Sequence, residues 1–414
     1  MIVSMLDIKF IRENKELVKE AAKNKNREVD LDEILRLAEE RKRLRTEIDA
    51  LNQKRREAAN ERNIEKGKEI KTDLEDLEKQ FADLDKQFVA LMIKVPNIHS
   101  VDTPVSKGEE GNKVIRSWGE IPKFDFTPKE HDEIGKALGI IDTETAAEVA
   151  GSRFAYLKGP LVLMQFALIQ SALKILVEKG FTPVIPPVFI KPAIQNRMAR
   201  FLTPEDHYMF PEDDLMLIGS AEHTLGSIYM DKVFNEKALP IRLAGYSTAF
   251  RREAGTYGKD TKGILRQHQF DKLEMESFTL PEDSLKEQDF LVSIQEEILQ
   301  GLKLPYQVVI IGTGDMGFPD YRQIDIECWM SGQNKYRETH SADHTGNFQS
   351  RRLNTRVKRA DGTIEPVHMN DATALAIGRT LIAILENYQQ ADGSVKIPEV
   401  LVPYMNGLTR ISAN

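Results

Sequence analysis

Apolar residues in the first hundred positions fall at alternating spacings of three and four. Ile34, Leu37, Leu44, Ile48, Leu51 and Ala58 form one stripe, with Arg41 and Arg55 in its remaining seam positions. A cleaner stripe runs through Ile70, Leu74, Leu77, Phe81, Leu84, Phe88, Leu91 and Val95. A heptad stripe marks the seam of one helix packed on another. The segment between them, ANERNIEKGK, is polar and contains a glycine. The pattern therefore predicts two helices folded back as an antiparallel hairpin. Each would reach roughly 40 Å, too long for a compact core, so an arm projecting from a body is expected. Pro96 stops the second helix, and VDTPVSKGEEGN reads as a linker.

Beyond the linker the pattern changes. Helical periodicity over 161–179, 285–302 and 374–388 is interleaved with alternating strands: STAFRRE, GILRQHQFDKLEMESF, YQVVII and RQIDIECW. Strands close in sequence with hairpin-like links predict a mostly antiparallel sheet carrying helices, an α+β body. The expected domains are 1–100, the arm, and 101–414, the body. At 414 residues, two domains is also what length suggests.

Composition adds limits. The chain is 41% hydrophobic and 29% charged with a formal net charge of −8, which excludes a wholly basic nucleic-acid binder but not a local basic surface. Such a surface is present in KRREAANERNIEKGKEIK, where Lys54, Arg55, Arg56, Arg62, Lys66, Lys68 and Lys71 outnumber the glutamates. These cations could track phosphates or simply solvate the tip of a dimerising coiled coil. Cys328 is the single cysteine, which excludes an internal disulfide framework and suits a reducing compartment. The N-terminus is too broken by charge for a signal peptide, and no later apolar run reads as a membrane span. A cytoplasmic protein is expected, with no membrane and no DNA among its partners.

The densest chemistry lies in AFRREAGTYGKDTKGILRQHQFDKLEME, Ala249 to Glu276. If the first strand runs through it, Arg251 and Glu253 share one face and Arg252 the other. Gly255, Gly258 and Gly263 permit the turn. On the return strand Arg266, His268, Phe270, Lys272 and Glu274 share a face, with Phe270 and Glu274 about 13 Å apart. An aromatic platform, cations and a carboxylate in a row suit a ligand with a flat base, a phosphate and a cationic amine. Taken alone, the same hairpin is also explained by salt bridges between its strands.

The hairpin resembles motif 2 of the class II aminoacyl-tRNA synthetases, and FRREAGTYGKDTKG followed by RQHQFDKLEM is similar to the form found in seryl-tRNA synthetases. GFTPVIPPVF resembles motif 1, with Pro187 as its hallmark, and ALAIGRTLIAILENYQQADG resembles motif 3, with Arg379 at the arginine position. TGDMGF, IDIECW, YRETHSADHTGNFQSRR and IPEVLVPYMNG are family-like, as are the N-terminal MLDIKFIRENKELVKEA and the arm. Because similar N-termini begin at MLDIKFIREN, Met5 is a candidate start.

The resemblance implies a class II synthetase-type antiparallel sheet with flanking helices, plus an antiparallel helical-hairpin (coiled-coil) arm that binds the long variable arm of serine tRNA. It implies a homodimer through motif 1, in which the arm of one protomer serves the active site of the other. The implied reaction joins L-serine to ATP, with Mg2+, as seryl-adenylate, and passes the seryl group to serine tRNA; selenocysteine tRNA is an open second substrate. Carried over by motif, Arg251, Glu338 and Arg379 are the catalytic group. Arg251, Arg252, Glu253, Gln267, Phe270, Glu338, Thr339, His340, Ser341 and Arg379 form the ATP site, with Glu338 and Ser341 for the metal. Ser220, Ala221, Glu222, Arg251, Glu274 and Thr373 form the serine site, and Lys54, Arg55, Arg56 and Arg62 the tRNA contact.

Several positions depart from the family pattern. Ser220 stands for a threonine in the Thr-x-Glu loop, where a strand would point Ser220 and Glu222 the same way. His340 and Ala342 replace commoner small or cysteine residues, and Lys259 and Lys262 replace frequent arginines. Asp371 occupies the usual asparagine position, so either Asn370 serves after a one-residue shift or a carboxylate has entered the site. Two other readings remain open here: a non-catalytic synthetase-like paralogue that binds tRNA or RNA, and a ligase acting on a protein carrier.

Overall fold

The computed structural model describes residues 6–200, 204–253 and 262–413. Gly255, Gly258, Lys259 and Met5 lie outside them. The chain divides into two compact units, Met1–Ile98 and His99–Asn414. The first contains α1 (Ile8–Glu13), α2 (Lys15–Asn24), α3 (Leu31–Asn60) and α4 (Ile64–Met92). Asp30 and Asn63 cap the two long helices, accepting from the backbone N–H of Glu33 and Lys66.

Helices α3 and α4 run back along each other. Ile34, Leu37, Leu44, Ile48 and Ala58 are buried against Ile70, Leu74, Leu84 and Phe88. Arg41 can occupy the seam because α4 receives it: its Nη2 is 2.6 Å from Asp85 Oδ1 and its guanidinium lies 4.3 Å from the Phe88 ring centroid. Arg55, expected in the same seam, is exposed. The break is also shorter than the polar segment suggested. Only Glu61, Arg62 and Asn63 leave the helices, with Arg62 at φ 52°. Asn63 restarts the helix, which carries Gly67 at a cost of about 1 kcal/mol relative to alanine.

The second unit is built on eight strands: β1 (Lys113–Trp118), β2 (Thr182–Val184), β3 (Ile241–Phe250), β4 (Gln269–Thr279), β5 (Tyr306–Ile310), β6 (Arg322–Met330), β7 (Lys335–Gly346) and β8 (His368–Ala376). Their order is β1-β5-β6-β7-β8-β4-β3-β2. The neighbours pair antiparallel except for parallel β2 and β3. Its helices include α5 (Pro160–Glu178), α6 (Pro192–Met198), α7 (Glu222–Leu225), α8 (Ser284–Gly301) and α9 (Ile377–Asn387).

One face of the sheet forms the core. Leu273, Met275, Ile324, Ile326, Cys328 and Leu375 pack with Leu168 of α5, Leu291 of α8 and Leu381 of α9. Helix α5 corrects one expectation, since it is long and apolar enough to cross a membrane by length and composition. Its composition is explained by packing: Leu161, Met164, Leu168, Ala172 and Leu176 are buried, while Leu163, Phe166 and Val177 are exposed on its other side.

Strand limits also shift. β3 ends at Phe250, so Arg251, Arg252 and Glu253 leave the sheet, and Glu253 adopts φ 53°. β4 begins at Gln269, which places Arg266 and His268 before the strand. The pattern 374–388 divides, with its first residues ending β8 and the helix starting at Ile377.

Candidate active site

The sheet face opposite the helices carries the chemistry. Along β4, alternation puts Phe270, Lys272, Glu274 and Glu276 on that face. Glu274 lies opposite Thr373 and Glu276 opposite Asp371 on β8, while Asp371 lies opposite Asp343 on β7. Asn370 pairs with Ser277, whose hydroxyl bonds Glu287 of α8 on the far side. The one-residue shift is therefore not used, and Asp371 faces the site.

A bulge decides which β7 residues join them. Ile326 pairs with His340 but its neighbour Glu327 pairs with Glu338, so Thr339 is the extra residue. Residues three apart normally point to opposite faces; the bulge brings Glu338 and Ser341 to the same one. Thr339 and His340 turn into the core. The Thr339 hydroxyl donates to the Ile326 carbonyl and His340 Nδ1 lies 2.8 Å from that hydroxyl. Burial lowers the His340 imidazole to about 4, leaving it neutral.

At one end of the row the Arg251 guanidinium stands 5.3 Å from the Phe270 ring centroid, and its Nε donates to the Gly219 carbonyl at 3.1 Å. Glu253 accepts from Arg266 Nη1 at 2.6 Å. Arg252 is exposed, near the Tyr208 ring. Arg379 Nη1 donates to the Glu338 carbonyl at 2.8 Å and lies 3.2 Å from its Oε2. Removal from bulk water opposes ionisation of Glu338, but Arg379 and Arg251 hold its carboxyl below the usual range. Gln267 and Phe270 line a cavity of about 400 Å³ with Phe154, Ile264 and Gly378.

At the other end the groups are buried. Ser220 is not on a strand; it precedes the short helix α7, which Glu222 begins. The Ser220 hydroxyl donates to Glu274 Oε1 at 3.1 Å and Thr373 donates to the same oxygen at 3.4 Å. Lys272 is ion-paired to Glu274. Ala221 is fully buried, in a cluster with Met198, Leu225 and Phe278. Arg200, just after α6, reaches four carboxylates: Glu222 at 3.1 Å, Asp320 at 3.0 Å, Asp343 at 3.0 Å and Asp371 at 2.8 Å.

One guanidinium cannot balance so many buried carboxylates. Burial pushes Asp371 and Glu276 well above the carboxylate range and Asp343 up to about 8, beside Asp320 and against the pull of Arg200. Burial works on Glu222 too, yet Arg200, His223 and Lys272 bring it down to about 2. Glu222 is thus held ionised, whereas Asp371, Glu276 and Asp343 are pushed toward their neutral forms.

The structure brings together Arg251, Phe270, Glu338, Ser341 and Arg379 on one side and Ser220, Glu222, Glu274 and Thr373 on the other. Sequence reasoning gave no role to Lys272, although it lay in the row on β4, and missed Arg200, which no periodic pattern marks. A flat ring beside two guanidinium groups can hold a base and phosphates; a buried ionised carboxylate beside hydroxyls can hold an ammonium group and an alcohol. Among the described residues, no three or more His, Cys, Asp and Glu side chains group to hold a metal. Glu338 and Ser341 instead offer two oxygens on one face, a donor set suited to a magnesium ion that keeps waters and phosphate oxygens. Cys328 is buried in the core, its thiol pushed to about 12, and is not a nucleophile for this face.

Residues 5–99 match the seryl-tRNA synthetase N-terminal domain and residues 208–388 the tRNA synthetase class II core domain of the G, H, P, S and T enzymes. Over 97% of its length the chain is 41% identical to 99% of the serine--tRNA ligase of Thermodesulfovibrio yellowstonii. The chain belongs to the seryl-tRNA synthetase family. Its structure is similar to that of seryl-tRNA synthetase from Pyrococcus horikoshii complexed with ATP, with a TM-score of 0.90, 38% identity and coverage of 99% and 100% of the two chains. It is also similar to the cytoplasmic serine-tRNA ligase of Naegleria fowleri in complex with AMP, at a TM-score of 0.87 and 31% identity over 99% of each chain. The eight-stranded sheet is therefore the class II synthetase fold.

Proposed function

We propose that the protein activates L-serine with ATP and transfers the seryl group to the 3′ end of serine tRNA. The observation that carries this is one sheet face over which the Phe270 ring and the Arg251 and Arg379 guanidinium groups gather at one end, and the buried Glu222 and Glu274 carboxylates with the Ser220 and Thr373 hydroxyls at the other. A serine carboxylate oxygen attacks the α-phosphorus of ATP and pyrophosphate leaves. A ribose hydroxyl of the terminal adenosine then attacks the acyl carbon, and AMP leaves.

Arg251 binds the α-phosphate and the serine carboxylate, where charge collects during the first attack. Phe270 stacks on adenine, with Gln267 and the Glu253 carboxylate at its edge, and Arg252 stands at the rim. Arg379 binds the γ-phosphate. Glu338 and Ser341 would hold Mg2+, which when bound would supply charge neutralisation on the phosphates; the buried Thr339 and His340 shape the bulge that presents them. Glu222 accepts the serine ammonium group. Ser220, Glu274 and Thr373 read the hydroxyl, and Ala221 keeps the loop close.

Residues 1–100 serve as the tRNA-binding arm, with Lys54, Arg55, Arg56 and Arg62 against phosphates, and 101–414 as the catalytic domain. The exposed Leu163, Phe166, Ile185 and Phe189 support a homodimer, because that much apolar surface favours a partner. A cytoplasmic location is proposed with this function.

Serine-dependent ATP–pyrophosphate exchange, run beside threonine, alanine and glycine, tests the reading. Exchange with serine alone, followed by charging of serine tRNA, is the expected result. No exchange from folded protein that binds ATP would reject it.

A further inference from the structure

The ammonium site depends on a residue from outside the sheet. Arg200 follows α6 through Ala199, which takes the left-handed φ of 56°, and its carbonyl accepts from Gln195 Nε2 at 2.9 Å. These contacts aim the side chain across the rows of β4, β7 and β8. Its Nε lies 3.1 Å from Glu222 Oε1, while Nη2 hydrogen-bonds both Asp371 oxygens at 2.8 and 3.1 Å and Asp343 at 3.0 Å. Nη1 lies on Asp320, and packing there is tight: a Cβ on Gly317 would come within 2.0 Å of Asp320 Oδ2. Arg200 Nη2 and Nε thus join Asp371, the residue at the family's asparagine position, to Glu222.

We propose that Arg200 is the positioning residue of the amino-acid site, holding Glu222 toward the substrate ammonium group and tying Asp371 back so that it does not compete for that group. This rests on the reading of Glu222 as the ammonium acceptor. A planar guanidinium suits the task, since Nη1 and Nη2 hydrogen-bond the aspartates while Nε stays within ion-pair distance of Glu222. A lysine ammonium is a single point and cannot span both. The surrounding groups agree: Glu222 keeps its charge against burial because Arg200 is the first cation acting on it, and Arg200 likewise pulls against the burial that pushes Asp371 up. Arg200 would contact no atom of the reacting groups and acts through Glu222.

The test is ATP–pyrophosphate exchange by the full-length enzyme, with KM for serine and for ATP measured separately. Arg200→Gln is expected to raise the serine KM at least tenfold and the ATP KM less than threefold. Adding Asp371→Asn to it should recover part of the serine KM by removing the released carboxyl. Arg200→Lys should still raise the serine KM at least threefold, and it stands as the deciding variant if Arg200→Gln does not fold. Glu222→Gln separates the two readings. If it raises the serine KM while the folded Arg200 variants do not, Arg200 has no positioning role and the proposal is overturned. If neither moves it, Glu222 is not the ammonium acceptor and both readings fall. Equal rises in the serine and ATP constants would also overturn the proposal, as the mark of a merely structural residue.

Discussion

The two ends of the row on β4 hold their charges by opposite means. At the nucleotide end, Arg379 and Glu338 have side chains 27% and 51% exposed and meet each other as a single pair. At the amino-acid end, Lys272 with Glu274 and Arg200 with its four carboxylates are 12% exposed or less. Exposed pairs gain little from one another and can regroup around a phosphate at small cost. Buried ones cannot stand without partners, so the protein supplies its own cations where substrate charge is absent. On the proposed reading, the nucleotide end is adaptable and the amino-acid end is preset.

The largest effect that would sharpen this contrast is loss of Arg251. Arg251→Ala should reduce kcat/KM in serine-dependent exchange about 10³-fold, by removing charge stabilisation at the reacting phosphate, while the thermal midpoint stays near that of the parent. A large fall in stability would break the contrast. Glu274→Ala should do the reverse in kind. It strands Lys272 and leaves Ser220 and Thr373 without their acceptor, costing about 3 kcal/mol of stability in chemical denaturation, along with a raised serine KM.

Next comes the arm. Replacing Lys54, Arg55, Arg56 and Arg62 together by alanine should weaken tRNA charging at limiting tRNA about tenfold or more, through lost phosphate contacts. Exchange without tRNA should be unaffected; a matching loss there would contradict separate roles.

The smallest expected effect concerns pH. In the unfolded chain Asp343 releases its proton near the ordinary carboxylate value of 3.8, whereas in the fold it keeps it to about 8. Between those values the native state binds more protons, so this group's contribution to stability is full below the lower value and falls as pH rises toward the upper one. Asp343→Asn should flatten the decline in the urea midpoint between pH 6 and pH 8.5. An unchanged slope would mean that Asp371 or Glu276 carries the proton instead.

What could be read from the sequence follows the same division. The arm was legible because α3 and α4, packed chiefly on each other, must write most of their packing seam into one stripe. Its break was read too long because Asn63, a cap, looks like any polar residue. The core-forming strands with Ile324, Ile326 and Leu273 announced themselves by alternation. β7 and β8 did not, since ETHSADH and MNDAT carry the site on one face and resemble loop composition; tertiary pairing overrides their low strand propensity. The motif residues Arg251, Glu338 and Arg379 were placed by resemblance. Arg200 was illegible because its meaning lies in carboxylates as far as 171 residues away.

The exposed basic tip of the arm and the enclosed Glu222 also differ in how they answer to ionic strength. Counterions compete at Lys54, Arg55, Arg56 and Arg62 in proportion to their concentration, but they have no room beside a carboxylate that is almost wholly enclosed. On the proposed reading, rising salt should release tRNA well before serine recognition weakens. The enzyme would then continue to form adenylate without a partner to receive it, so the concentration of ions around the protein sets how closely its two half-reactions stay in step.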